Sequence, residues 1–263
     1  MRALLLLPLI VASMLTGADD AGARALLRVD GHSLKWGPQA AGSGAVVTYA
    51  LLAVPYAVPA GKTTLSRDNC GAMRPFDEII NASPTVSQEA LRHELRLALS
   101  AWADVADIRF VEVEDAREAN IVVGATSQPV GRAFANLSYR NATVIAPVAK
   151  ALGGPSPHHV AQTYAATSSG DTVSIEQSYI CLNPAMRWKV GFDGRLDIYD
   201  LRHTYAHEIG HAIGLDHPES ARSLMAFRYD ESVQRLQASD IAAAQWLYGP
   251  PPTVRQPDLE ARR

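Results

Sequence analysis

Apolar positions fall into a few patterned stretches along the chain, and these set the expected elements. Residues 45–54 form a β-branched, apolar run that stops at Pro55, as a buried first strand does. Behind a capping serine, Ser87, the apolar positions Leu91, Leu95, Ala98, Leu99 and Trp102 recur at spacings of three and four. They predict a helix over residues 87–105 with one apolar face. Residues 108–113 alternate apolar and polar, 120–124 form a short apolar run, and 178–183 run up to Pro184; all three read as strands. Asp200 caps a helix that reaches about Ile213, and a last helix spans 239–248.

The stretch 126–177 is broken by Gly131, Gly153, Gly154, Pro155, Pro157 and Gly170. Within it, 132–137 and 141–145 are candidate strands of a hairpin, and the remainder reads as long loop, as does 61–69. A polar, glycine-containing lead-in precedes Ala45, and 251–263, rich in proline and mixed charge, reads as a flexible tail. No internal repeat is present. Strand, helix, several strands and two late helices give an α/β (α+β) domain whose sheet packs on helices, with the late helices supplying the site.

Composition adds bounds. The chain has 263 residues, 48% hydrophobic and 19% charged, enough for one substantial core. A net charge of −3 without a long basic run gives no reason to expect nucleic acid or an anionic membrane as partner. Arg2 precedes a short apolar stretch ending at Leu15, and Ala21-Gly22-Ala23 offers a small-residue cleavage site, so 1–23 reads as a secretory signal peptide. The run is short for a membrane span and contains Pro8, and no later stretch is apolar enough to cross a bilayer. A secreted monomer is expected, periplasmic in a Gram-negative source. In an exported protein Cys70 and Cys181 suggest one disulfide, with two separate thiols as the alternative. Neither belongs to a C-x-x-C pair, so cysteine ligation of zinc is not indicated.

The candidate chemistry lies between His207 and His217. Four residues apart on a helix, His207 and His211 present two imidazoles to one ion, and Glu208 sits on the adjoining edge. Gly214 permits the backbone to leave the helix and return with His217 as third ligand. Three histidines leave a fourth position for water, the open coordination of catalytic zinc, and Glu208 is placed to act as general base. Chance occurrence of the five fixed positions in such a chain is on the order of 1 in 100,000. His203 extends the same face and reads as a packing or supporting residue rather than a ligand; His158 and His159 read as surface residues.

The segment His207-Glu208-Ile209-Gly210-His211-Ala212-Ile213-Gly214-Leu215-Asp216-His217, followed by Ser223-Leu224-Met225, resembles the metzincin signature with its Met-turn. Within that clan the chain is most similar to the matrixins. The further matches are Lys35-Trp36, Val47-Thr48-Tyr49, Ala101-Trp102 with Ile108-Arg109-Phe110, Ala119-Asn120-Ile121, and Asp240-Ile241 to Leu247-Tyr248-Gly249. The resemblance implies a zinc endopeptidase domain over 24–250: a twisted five-stranded mixed sheet, an active-site helix, and a small C-terminal subdomain. A protein or peptide substrate would lie extended along an edge strand, Met225 would floor the metal site, and Tyr229 would stand in the wall of the pocket beyond the scissile bond. Calcium is compatible with the resemblance, but no calcium loop or second zinc cluster is recognisable, so one Zn2+ is the expected cofactor. Serralysins, the next most similar, carry a tyrosine two residues after the Met-turn methionine, where this chain has Phe227. The alternative function is a catalytically silent zinc-binding module of the same fold.

Overall fold

The β-branched run of the first apolar stretch becomes a central strand of the sheet. The computed structural model describes residues 24–58, 69–128, 131–139, 172–220 and 222–252. The expected signal segment, the candidate strand 141–145, His158, His159 and most of the expected tail lie outside these residues. In chain order the elements are β1 (Arg28–Val29), β2 (His32–Lys35), β3 (Ala45–Leu51), β4 (Tyr56–Ala57), β5 (Ala72–Arg74), a 3-10 turn (Phe76–Ile80) and α1 (Gln88–Ala103). They continue with β6 (Ile108–Glu112), β7 (Ile121–Thr126), β8 (Ala133–Tyr139), β9 (Thr172–Leu182), β10 (Trp188–Lys189), β11 (Tyr199–Asp200), α2 (Leu201–Ala212) and α3 (Ala238–Tyr248).

Five long strands make a mixed sheet in the order β6-β3-β7-β9-β8. The first four are parallel, and β8 runs antiparallel to β9 at the edge. Short strands extend this frame: β2 pairs with the start of β9 and β1 with β2, while β5 pairs with the end of β7 and β4 with β5. Parallel neighbours require a crossover, and α1 lies in the one between β3 and β6. Its start is fixed by Ser87, whose hydroxyl accepts the Ala90 N–H at 3.0 Å. The predicted apolar face, Leu91, Leu95, Ala98, Leu99 and Trp102, is buried in the main core. From that face the Trp102 indole donates to the Ala206 carbonyl at 2.8 Å, tying α1 to α2.

β8 pairs with β9, from Ala133 opposite Leu182 to Tyr139 opposite Ile175, and the other strand expected of its hairpin, 141–145, lies outside the described residues. Two expectations need correction. β9 begins at Thr172, within the stretch read as loop, because Val173 and Ile175 alternate into the core among polar neighbours that blurred the apolar pattern. The lead-in likewise holds β1 and β2, strands too short to show a period, although Leu34 and Trp36 are buried.

Cys70 and Cys181 form a disulfide with their Cα atoms 5.7 Å apart, joining the segment before β5 to β9. Both sit in a second apolar cluster with Met73, Val122 and Tyr179. Replacing both cysteines by alanine is expected to lower the unfolding free energy by about 2–5 kcal/mol. Denaturant midpoints measure this, and an unchanged midpoint would contradict it.

Candidate active site

Helix α2 is defined at both ends by local chemistry. At its start the Asp200 carboxylate accepts the His203 N–H at 2.8 Å and the Gly191 N–H at 2.7 Å. At its end the Gly214 N–H reaches the His211 carbonyl and the Leu215 N–H reaches the Gly210 carbonyl, both at 2.9 Å, which is the Schellman pairing. Gly214 holds φ +101°, and a Cβ there would collide with the Leu34 carbonyl. The returning chain is pinned to the N-terminal segment: Leu27 N–H donates to Gly214, and Asp216 N–H to Ala25, each at 2.9 Å. His217 is delivered from this anchored segment.

The result is a convergence of three imidazoles. His217 Nε2 lies 3.2 Å from His207 Nε2 and 3.1 Å from His211 Nε2. His207 Nδ1 faces the Leu224 carbonyl and His211 Nδ1 the Leu215 carbonyl, both at 2.9 Å. A carbonyl only accepts, so both Nδ1 atoms carry the proton and both Nε2 atoms present lone pairs. Burial, followed by the neighbouring imidazole, holds His207 well below the ordinary histidine value and His211 down to about 4. His217, exposed, is also lowered by desolvation. Tetrahedral zinc with Zn–N near 2.0–2.1 Å places its ligands about 3.3 Å apart, and the observed spacings fit it. Among the described residues these three are the one group of ligating side chains close enough to share an ion.

Beneath the trio lies the turn that carries Met225. A Cβ on Gly210 would overlap the Met225 sulfur and stand 3.0 Å from Trp102, so the helix needs glycine there to rest on the methionine. The turn itself is held by Asp240, whose carboxylate accepts the Leu224 N–H at 3.0 Å, the Gln237 N–H at 2.8 Å and the Ser223 hydroxyl. Leu224 in turn faces His207 through its carbonyl. In the sequence Asp240 stands out only within the closing Asp240-Ile241 match, which does not link it to the Met225 turn.

A cavity of about 570 Å³ opens over the trio and runs one turn up α2 past His203 and Thr204. Glu208 lines it and is buried at 7% exposure, which pushes its carboxyl up to about 8 in the metal-free protein. The far wall holds Tyr229, whose hydroxyl accepts the Asp200 N–H at 3.0 Å and donates to Glu231 at 2.9 Å. His203 is not among the trio. Its ring packs edge-on against Tyr229 at 4.8 Å, and burial drives it to about 4, a neutral group. Phe227, 74% exposed, sets its ring against His217 with centroids 5.3 Å apart. Arg132, at the head of β8, also lines the cavity, whereas the sequence marks it only as the start of a strand.

This sheet and its active-site helix are those of the metzincin fold class. The matrixin family profile matches residues 77–249, and the chain belongs to the matrixin family, whose members are zinc-dependent metalloendopeptidases. A serralysin of Photorhabdus laumondii is 30% identical over 131 residues, covering 49% of this chain and 20% of that protein. Metalloendoproteinase 4-MMP of Arabidopsis thaliana is 26% identical over 176 residues, 65% of this chain and 44% of its own length. Human stromelysin-3 is 28% identical over 172 residues, 64% and 29% respectively. The chain therefore spans less than half the length of each of these relatives.

Two measurements test the geometry. Truncating Asp240 to alanine frees the Leu224 turn, and zinc affinity, read by chelator competition, is expected to weaken about 10–100-fold; unchanged affinity would contradict the link. The second is the pH dependence of the metal-free protein. Folded Glu208 keeps its proton to about 8 against an ordinary value of 4.5, so the fold binds the extra proton and stability falls as pH rises through that window. The depressed histidines act oppositely, removing stability as pH drops below their ordinary 6.5 toward about 4. Above pH 6.5 the histidines still gain stability as their unfolded forms lose protons, so the carboxyl is isolated by comparison with Glu208→Gln. Between pH 6.5 and 8 wild type is expected to lose about 2 kcal/mol relative to that variant, and parallel profiles would contradict it.

Proposed function

We propose that this chain is an exported zinc-dependent endopeptidase in which His207, His211 and His217 hold one catalytic zinc ion and Glu208 is the general base and acid. The observation that carries this reading is the meeting of three imidazole nitrogens at 3.1–3.2 Å with a buried carboxyl in one open cavity. A zinc ion held there would supply Lewis acidity to a water molecule and to the scissile carbonyl. Glu208 takes the proton of the attacking water and passes one to the leaving amine. Its carboxylate form is favoured beside a dication, which offsets the burial that raises it in the metal-free protein. Met225 keeps the floor of the site apolar and holds α2 in place through Gly210.

Among the described residues β8 has a strand neighbour on one side only, and Ala133, Phe134 and Ala135 line the cavity. An extended peptide adds to that edge as a further strand, and the side chain after the scissile bond enters the cavity toward Tyr229. Residues 1–23 act as the export signal, 24–250 as the catalytic domain and 251–263 as a tail, and the protein acts as a secreted monomer on protein or peptide substrates. No helix among the described residues is long and apolar enough to cross a membrane.

The test is cleavage of quenched-peptide pools by the zinc-loaded full chain. Glu208→Ala is expected to lower kcat by about 10²–10⁴-fold at unchanged zinc content. Wild-type inactivity on broad pools with one zinc bound per chain would contradict the proposal.

A further inference from the structure

Arg132 sits where the edge strand meets the cavity. Its carbonyl accepts the Asn183 N–H at 2.8 Å, which fixes the backbone at the head of β8. The guanidinium reaches across toward the segment after Met225, with Cζ 4.7 Å over the Tyr199 ring and Nη2 3.5 Å from the Phe227 carbonyl. Tyr199 packs edge-on against Tyr229 at 5.2 Å, and Tyr229 against His203 at 4.8 Å. Arg132, His203, Thr204 and Tyr229 thus give the cavity beyond Glu208 a polar side. Among the described residues no carboxylate stands within ion-pair distance of Arg132, whereas Arg74, Arg92, Arg117, Arg195 and Arg202 all have one. A half-buried guanidinium braced on an aromatic face, with no acid paired to it among the described residues, is suited to receive a carboxylate in bidentate fashion.

We propose that Arg132 makes the cavity select substrates with an acidic side chain at the residue following the scissile bond, glutamate in preference to glutamine or leucine. Neutral His203 and Thr204 can add hydrogen bonds to that carboxylate without adding like charge, so its desolvation is met by a charged partner and by dipoles. The reading rests on the proposed endopeptidase function for the direction of cleavage, but the carboxylate preference itself is a property of binding.

Two readouts test it with the zinc-loaded full chain and one pair of peptides differing only as Glu or Gln at that residue. Cleavage by wild type is expected to favour the Glu peptide in kcat/KM by about tenfold or more, with the ratio falling to about one in Arg132→Gln. Arg132→Glu is expected to shift preference to the corresponding Lys peptide. In parallel, calorimetry on Glu208→Gln reads binding of the same peptides without turnover, and tighter binding of the Glu peptide is expected, lost on adding Arg132→Gln. If no peptide is cleaved yet that binding difference is present, the endopeptidase reading fails and the assignment of Arg132 stands. Equal handling of the two peptides in wild type, or a preference that survives Arg132→Gln, overturns it.

Discussion

Three imidazole lone pairs gathered with His217 Nε2 within 3.2 Å of both its neighbours repel unless a cation stands between them, and the structure around α2 is arranged to keep them there. Two of the rings are oriented by carbonyls, Leu224 for His207 and Leu215 for His211. Those carbonyls belong to segments that leave the helix and return, so the rings are fixed only if the return path is fixed. Gly214 sets the first bend, the pairing with residues 25–27 anchors the segment that carries His217, and the Asp240 carboxylate clamps the turn that carries Leu224.

The helix is in turn fixed to the fold by aromatic donors. Trp36 donates its indole N–H to the Ala212 carbonyl at 2.8 Å, and the Tyr248 hydroxyl donates to Ile213 at 2.7 Å while accepting the Trp36 N–H at 3.1 Å. These satisfy carbonyls that a helix end leaves without partners and join the N-terminal strand, α2 and the final turn of α3 at one point. With Trp102 holding the middle of α2 to α1, His207 and His211 stand on a helix tied to both the sheet and the C-terminal segment. Such bracing limits the reorganisation needed when an ion binds.

How much of this could be read from the sequence follows from how local each signal is. The His207–His217 segment carries its own geometry, since helical spacing and one glycine determine which rings converge. Ser87 and Asp200 announced their helices because a cap acts within three residues. The sheet was legible where strands are wholly apolar, as in β7, and not where core and polar residues alternate beside an irregular stretch, as in the first half of β9. Asp240 and Arg132 escaped because their roles exist only across long-range contacts: one reaches the Met225 turn from the last helix, the other reaches the cavity from the edge strand. Nothing in their immediate neighbours marks either.

The polar side of the cavity separates specificity from the chemistry that the matrixin fold provides. On the proposed reading the histidine trio and Glu208 serve hydrolysis of a peptide bond presented along β8, whereas Arg132, His203 and Thr204 set which side chain is accepted next to it. All of this depends on a single ion held by three imidazoles. Zinc-edge X-ray absorption on the purified, zinc-loaded protein measures that most directly. The account predicts three imidazole nitrogens at about 2.0–2.1 Å and one oxygen in place of a fourth protein ligand. A first shell containing sulfur, a fourth imidazole from His203, or no more than two imidazoles would contradict it.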